Sequence, residues 1–198
     1  MKIAEKTLIV LALIGLILNL VSNTGVIFIL AMSSLAVLYF YTSFALFNDV
    51  PLKGILKKAS YESTNKKRVS LSFAAGIGLS MICIGTLFKL MLWPTWEVQL
   101  MGGLLVLAVV GAISTFFYLR SKAAFYTALY TRLALFGLVA VILYFIPGEA
   151  LVDVYFRNET EEYRALHKRL LENPNDEDAR QRMEAIFEER SSKEQNQD

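Results

Sequence analysis

The chain of 198 residues has one cysteine, one histidine and four prolines. A single cysteine, Cys83, can build neither a disulfide framework nor a thiolate metal site within the chain. It sits in an apolar run and reads as a small buried hydrophobe. The one histidine, His167, lies far away in the sequence, so no nucleophile–base pair, metal cluster or phosphate-cradling loop can be assembled. No catalytic residue, metal or cofactor is expected on these grounds. Charge is scarce too. Only 19% of residues are charged and 55% are hydrophobic, with a mean hydropathy of +0.46. Soluble domains carry about 25% charged and about 45–50% apolar residues. Acids nearly vanish from the first three quarters: residues 1–148 hold twelve Lys/Arg and four Asp/Glu, whereas 149–198 hold eight and fourteen. That split implies an all-α membrane domain over 1–148, an acidic soluble helical tail over 149–190 and a polar, disordered end over 191–198.

Five apolar runs stand out: Thr7–Ser22, Gly25–Phe47, Leu71–Trp93, Val98–Leu119 and Ala128–Ile146. Crossing about 30 Å of hydrocarbon takes about 20 helical residues, which four runs supply easily. The first is shorter and needs Lys6 to snorkel to its interface. Its rival reading is a secretory signal peptide, but no small-residue cleavage pair follows and a second apolar run begins at once. The runs are continuously apolar rather than alternating, which excludes a β-barrel. Residues 48–70 carry Lys53, Lys57, Lys58, Lys66, Lys67 and Arg68, and Arg120, Lys122 and Arg132 mark the connection before the fifth run. The intervening connections at 23–24 and 94–97 carry no Lys or Arg. Positive residues stay inside, so the N-terminus is expected in the cytoplasm and, after five crossings, the tail in the periplasm of a bacterial inner membrane. Tyr39, Phe40, Tyr41, Phe44 and Phe47 read as an aromatic belt at the inner end of the second run.

The third and fourth runs hold Gly78, Gly85, Phe88-Lys89, Trp93-Pro94 and then Gly102-Gly103-Leu104-Leu105. Gly78 and Gly85 are seven apart, on one helix face, where small residues let a neighbour approach. Over about 45 residues this segment resembles the transmembrane hairpin of the gliding-motility L family, from the type IX secretion motor of Bacteroidota. In that family a Gly-x-Leu-Phe-Lys stretch runs into a His-Trp-Pro turn and a helix opening with Gly-Leu-Leu. The sequence departs from the family twice. Leu92 stands where the family has histidine, and Leu107 stands where it has the membrane glutamate associated with proton-driven rotation. The resemblance therefore implies a related hairpin without a proton relay.

Lys89 is the one charge well inside a run. Two readings stand: its amine snorkels to the outer interface, or it pairs with Glu97 or with a carboxylate on a partner. The basic loop can meet anionic headgroups, and orientation alone accounts for it without any nucleic acid. In the tail, Asn158 is placed to cap a helix carrying Tyr163, Leu166 and Leu170, which Asn173-Pro174 stops. Asp176 is placed to cap a second, with Ala179, Met183, Ile186 and Phe187 as its stripe. Such short helices need each other, the membrane surface or an envelope protein to be stable. The sequence thus points to a non-enzymatic membrane scaffold or accessory subunit, joined to a membrane partner or to copies of itself. A transporter or channel subunit acting as an oligomer is the alternative.

Overall fold

A computed structural model describes residues 2–22, 24–55, 57–61 and 64–195. The described residues are all-helical, with no strand. Five long helices come first: α1 (Lys2–Ser22), α2 (Val26–Leu46), α3 (Lys66–Leu90), α4 (Trp96–Ser121) and α5 (Ala124–Phe145). Each is long and apolar enough to cross a membrane, the organisation of a multi-pass membrane protein. Three shorter helices follow: α6 (Gly148–Tyr155), α7 (Glu161–Glu172) and α8 (Glu177–Gln195). The chain divides into two compact units, 1–145 and 146–198.

Hydropathy places the long helices correctly but cuts them short at polar ends. α1 begins at Lys2 rather than at Thr7, and its 21 residues reach about 31 Å. It is therefore long enough to cross the hydrocarbon without distortion. α3 begins at Lys66, capped by Asn65, whose side chain accepts from the Lys67 N–H. α5 begins at Ala124, which puts Arg132 eight residues inside the helix rather than on the connection before it. At α1 and α3 the helix continues past the apolar run because Lys, Arg and Glu form helix well and carry their charge to the interface.

Within the first unit α3 is central, packed against α2, α4 and α5, while α1 lies against α2 and α5 also meets α4. It is the most buried of the five, and the reason is compositional. Ser72, Ala75, Gly76, Gly78, Ser80, Cys83, Gly85 and Thr86 are all buried, and side chains this small let neighbours close in on every side. By contrast α1, α4 and α5 keep broad stripes of Leu, Ile, Val and Phe exposed, as helices facing lipid do. Thr42 of α2 and Thr131 of α5 bond back one turn, to Leu38 O and Thr127 O, which satisfies their hydroxyls within the helix.

The second unit has three helices where the sequence suggests two. The added helix, α6, follows Pro147 directly, a residue suited to starting a helix but not to lying inside one. Thr160, not Asn158, caps α7, its Oγ1 accepting from the Tyr163 N–H. Its hydroxyl sits three residues ahead of a free N–H, the spacing a cap requires. Asp176 caps α8 through the Ala179 N–H. That bond, and the guanidinium of Arg169 beside it, hold the Asp176 carboxyl below the usual carboxylate range. The Ser191–Gln195 stretch, read from composition as disordered, continues α8; Lys, Glu and Gln favour helix once one is under way. The rest of that stretch, 196–198, lies outside the described residues.

Candidate functional site

The most polar spot in the membrane unit is built by three helices. Glu5, from the first turn of α1, is 5% exposed. Arg132 of α5 grips it with two prongs, Nε to Oε1 and Nη2 to Oε2, both at 2.6 Å. Tyr39 of α2 donates its hydroxyl to Oε1 at 2.7 Å. The remaining guanidinium nitrogen, Nη1, donates to Ala128 O at 3.1 Å. Aromatic faces close the site: Phe47 lies 5.1 Å from the guanidinium carbon, and Phe136 meets Tyr39 edge-on at 5.4 Å. A buried charge is costly unless paired and hydrogen-bonded. Here the carboxylate accepts three bonds and the guanidinium donates three, which meets that condition.

The local sequence explains why the three groups converge. Glu5, Ala12, Gly15 and Asn19 are the buried residues of α1 and repeat at spacings of seven, three and four. They form one narrow face of small and polar residues. Gly15 has the Phe28 backbone against it, closer than any Cβ allows, so α1 and α2 approach closely enough for Glu5 to reach Tyr39. Gly76 of α3 likewise takes the Ser43 side chain and the Tyr39 carbonyl directly against it, which holds α2 from the opposite side. At the chain's start, Lys2 pairs with Asp49 at 2.6 Å and fixes the beginning of α1 beside the end of α2.

Sequence reading places Glu5 at a helix end, Tyr39 in an aromatic belt and Arg132 at an interface. Glu5 does lie in the first turn, but all three side chains turn inward to one another. The signal for this is the α1 face itself. In a membrane helix the packed side is the one with small and polar residues, and Glu5 is in register with it.

The glycine motif lies on the α3–α4 contact. A Cβ on Gly78 would strike Leu107 and Val106, on Gly85 Leu100, and on Gly103 Ile82 and the Gly78 carbonyl. Leu107 is thus packed against Gly78 and 5% exposed. Between the helices the chain turns through Leu92 and Thr95, both left-handed with φ of 56° and 68°. The Trp93 N–H returns to Phe88 O at 2.8 Å, and the Phe88 and Trp93 rings meet edge-on at 5.4 Å. Pro94 and Glu97 are exposed.

Lys89 neither snorkels nor pairs with Glu97. It is 2% exposed, and its amine lies 3.2 Å from the centre of the Trp96 ring. No carboxylate of the described residues comes within 4 Å of it. The ring's electron-rich face takes the place of a counter-ion, and the carbonyl end of α3 adds a favourable dipole. Trp96 is on the first turn of α4, so the pair staples the turn end of the hairpin.

In the second unit His167 stacks on Phe156 at 4.3 Å and meets Tyr163 edge-on. Burial holds its pKa below the ordinary histidine value, against a weaker upward pull from Glu159. Its Nε2 is buried without a hydrogen-bond partner among the described residues.

Among the described residues no group of three His, Cys, Asp or Glu converges on a point that could hold a metal. Cys83 is fully buried, out of reach of any reagent. What the Glu5–Tyr39–Arg132 cluster does physically is fasten α1, α2 and α5 at one end of the membrane unit. No protein-family model, curated protein or solved structure matches the chain.

Proposed function

We propose that this protein is a non-enzymatic scaffold or accessory subunit of a bacterial inner membrane. Its third and fourth spans form a hairpin similar to that of the gliding-motility L family, without that family's proton-relay glutamate. The observation that carries the reading is the use made of Glu5. This carboxylate, the one buried acid among the described residues of the membrane unit, is occupied by Arg132 and Tyr39, which leaves no free acid to relay a proton. Leu107, standing at the glutamate position, is a packed apolar side chain, in keeping with the missing relay. The turn supports the family likeness. Leu92 adopts the left-handed backbone, a conformation in which histidine, the family's residue there, is enriched. The bias of Lys and Arg supports a cytoplasmic N-terminus and a periplasmic tail, where α6–α8 would meet envelope proteins.

Gentle extraction from native membranes tests the reading. A scaffold is recovered with a membrane partner or as an oligomer of fixed stoichiometry, and recovery as monomer alone overturns it. A second reading, a transporter or channel subunit, draws on the same cluster, because an acid–base pair inside a membrane often marks an ion path. Ion or solute flux in proteoliposomes that Glu5→Gln abolishes decides for that alternative.

A further inference from the structure

The glycine contacts between α3 and α4 occupy only part of their length. Gly85, Gly103 and Gly78 are closely covered, but Gly111 of α4 has nothing within 4 Å. Past Gly78, toward Lys66, a groove of about 610 Å³ opens between the two helices. Leu71, Ala74, Val106, Val109 and Ile113 are among its lining residues. From Leu105 to Phe117, which bound it on α4, is about 18 Å along the helix, close to one leaflet of a hydrocarbon core about 30 Å thick.

The groove's open end is strongly basic. Lys66 and Lys67 line it directly, and an adjoining hollow of about 250 Å³ adds Arg68 and Arg120. No acid among the described residues lines either hollow. Three of these cations occupy the first turn of α3, where the helix dipole is already positive. The arrangement disfavours the free protein and concentrates positive potential at one spot. None of the four side chains is ion-paired or hydrogen-bonded to another described residue. Three of them rest on aromatic faces instead: Lys67 lies 5.1 Å from the centre of the Phe117 ring, Arg68 5.6 Å from that of Phe125 and Arg120 4.8 Å from that of Phe116. The aromatic contacts hold the cations at the mouth and leave their N–H donors open.

We propose that this groove binds one anionic phospholipid. Its phosphate is held by Lys67, Arg68 and Arg120 at the mouth, and an acyl chain lies along Leu71, Ala74, Val106 and Val109. Charge complementarity selects the headgroup, and the depth of the groove, matched to one leaflet, selects a lipid over a soluble anion. The site is independent of what the whole protein does in its membrane.

Native mass spectrometry of the full chain in non-ionic detergent tests this, with phosphatidylglycerol and phosphatidylcholine of identical acyl chains as probes. One phosphatidylglycerol per chain is expected to bind at least tenfold more tightly than phosphatidylcholine. The double variant Lys67→Gln/Arg120→Gln should lose about thirtyfold, in keeping with two charges near an anionic headgroup. Lys53→Gln/Lys57→Gln removes the same charge from the loop outside the groove and should bind as the parent does. Val109→Trp keeps every cation, fills the groove and should also lose binding while melting normally. Equal affinity for the two lipids overturns the proposal, and so does equal loss in the two charge variants. Competition by glycerol phosphate as effective as by the lipid, or unchanged binding by a normally melting Val109→Trp protein, overturns the acyl part.

Discussion

Arg132 and Glu5, 127 residues apart in the chain, meet in a two-pronged ion pair with both contacts at 2.6 Å. The pair joins the first and last helices of the membrane unit, and Tyr39 brings the second helix to the same carboxylate. Its place in the interior makes it a fastening whose removal is felt by all three.

Arg132→Leu should destabilise the membrane unit by about 3 kcal/mol, because Glu5 stays buried without its cation. The double variant Glu5→Leu/Arg132→Leu should recover most of that, since a buried pair replaced by apolar groups is often neutral. Thermal melts in detergent read both. A double variant as unstable as the sum of the singles contradicts the pairing.

Glycine substitutions should divide by location. Gly15→Ala and Gly76→Ala place a methyl against the Phe28 backbone and the Ser43 side chain, at about 1–3 kcal/mol each. Gly111→Ala and Gly137→Ala enter open space and should raise stability by up to about 1 kcal/mol through helix propensity. The same melts rank the four, and equal effects at all of them would show that close approach is not what these glycines provide.

Lys89 and Trp96 should couple by about 1–2 kcal/mol in a double-mutant cycle built on Lys89→Met and Trp96→Leu, the range for a desolvated cation over a ring. Lys89→Met combined with Glu97→Gln should be additive, because the two charges do not touch. Strong coupling to Glu97 instead would reinstate the ion pair across the turn.

The tail should weaken in mild acid. Burial keeps His167 neutral in the fold, while in the unfolded chain the ring takes up a proton near pH 6.5. The unfolded state therefore binds more protons as pH falls below about 6.5, and stability drops with it. Asp176 acts in the same direction only at lower pH, in the carboxylate range. Hydrogen exchange of α6 and α7, corrected for intrinsic rates, should be faster at pH 5.5 than at 7.5. His167→Phe should remove that difference, and a difference that persists assigns it to another group.

A cysteine at Asn175, in a Cys83→Ala background, reads the orientation. Asn175 lies in the exposed turn between α7 and α8. An impermeant maleimide added to intact spheroplasts should label it if the tail is periplasmic. Labelling only after lysis reverses the orientation and removes envelope proteins from the tail's reach.

Hydropathy alone determined five membrane-crossing helices and an acidic helical tail, because a bilayer admits few ways of satisfying a backbone and long apolar runs reveal them. The sequence also marked the Gly78–Gly85 face as a contact face, since small residues let a neighbouring helix approach. The tertiary structure alone decided the partners of the charged groups. Glu5 and Arg132 are 127 residues apart, and nothing local tells an inward-facing charge near a helix end from one that snorkels. The difference is an angle about the helix axis, set by where Gly15 and Gly76 let α1, α2 and α3 close together. Lys89 shows the same limit. Its neighbours in sequence offered the acid Glu97, and only the fold of the turn put Trp96 over its amine.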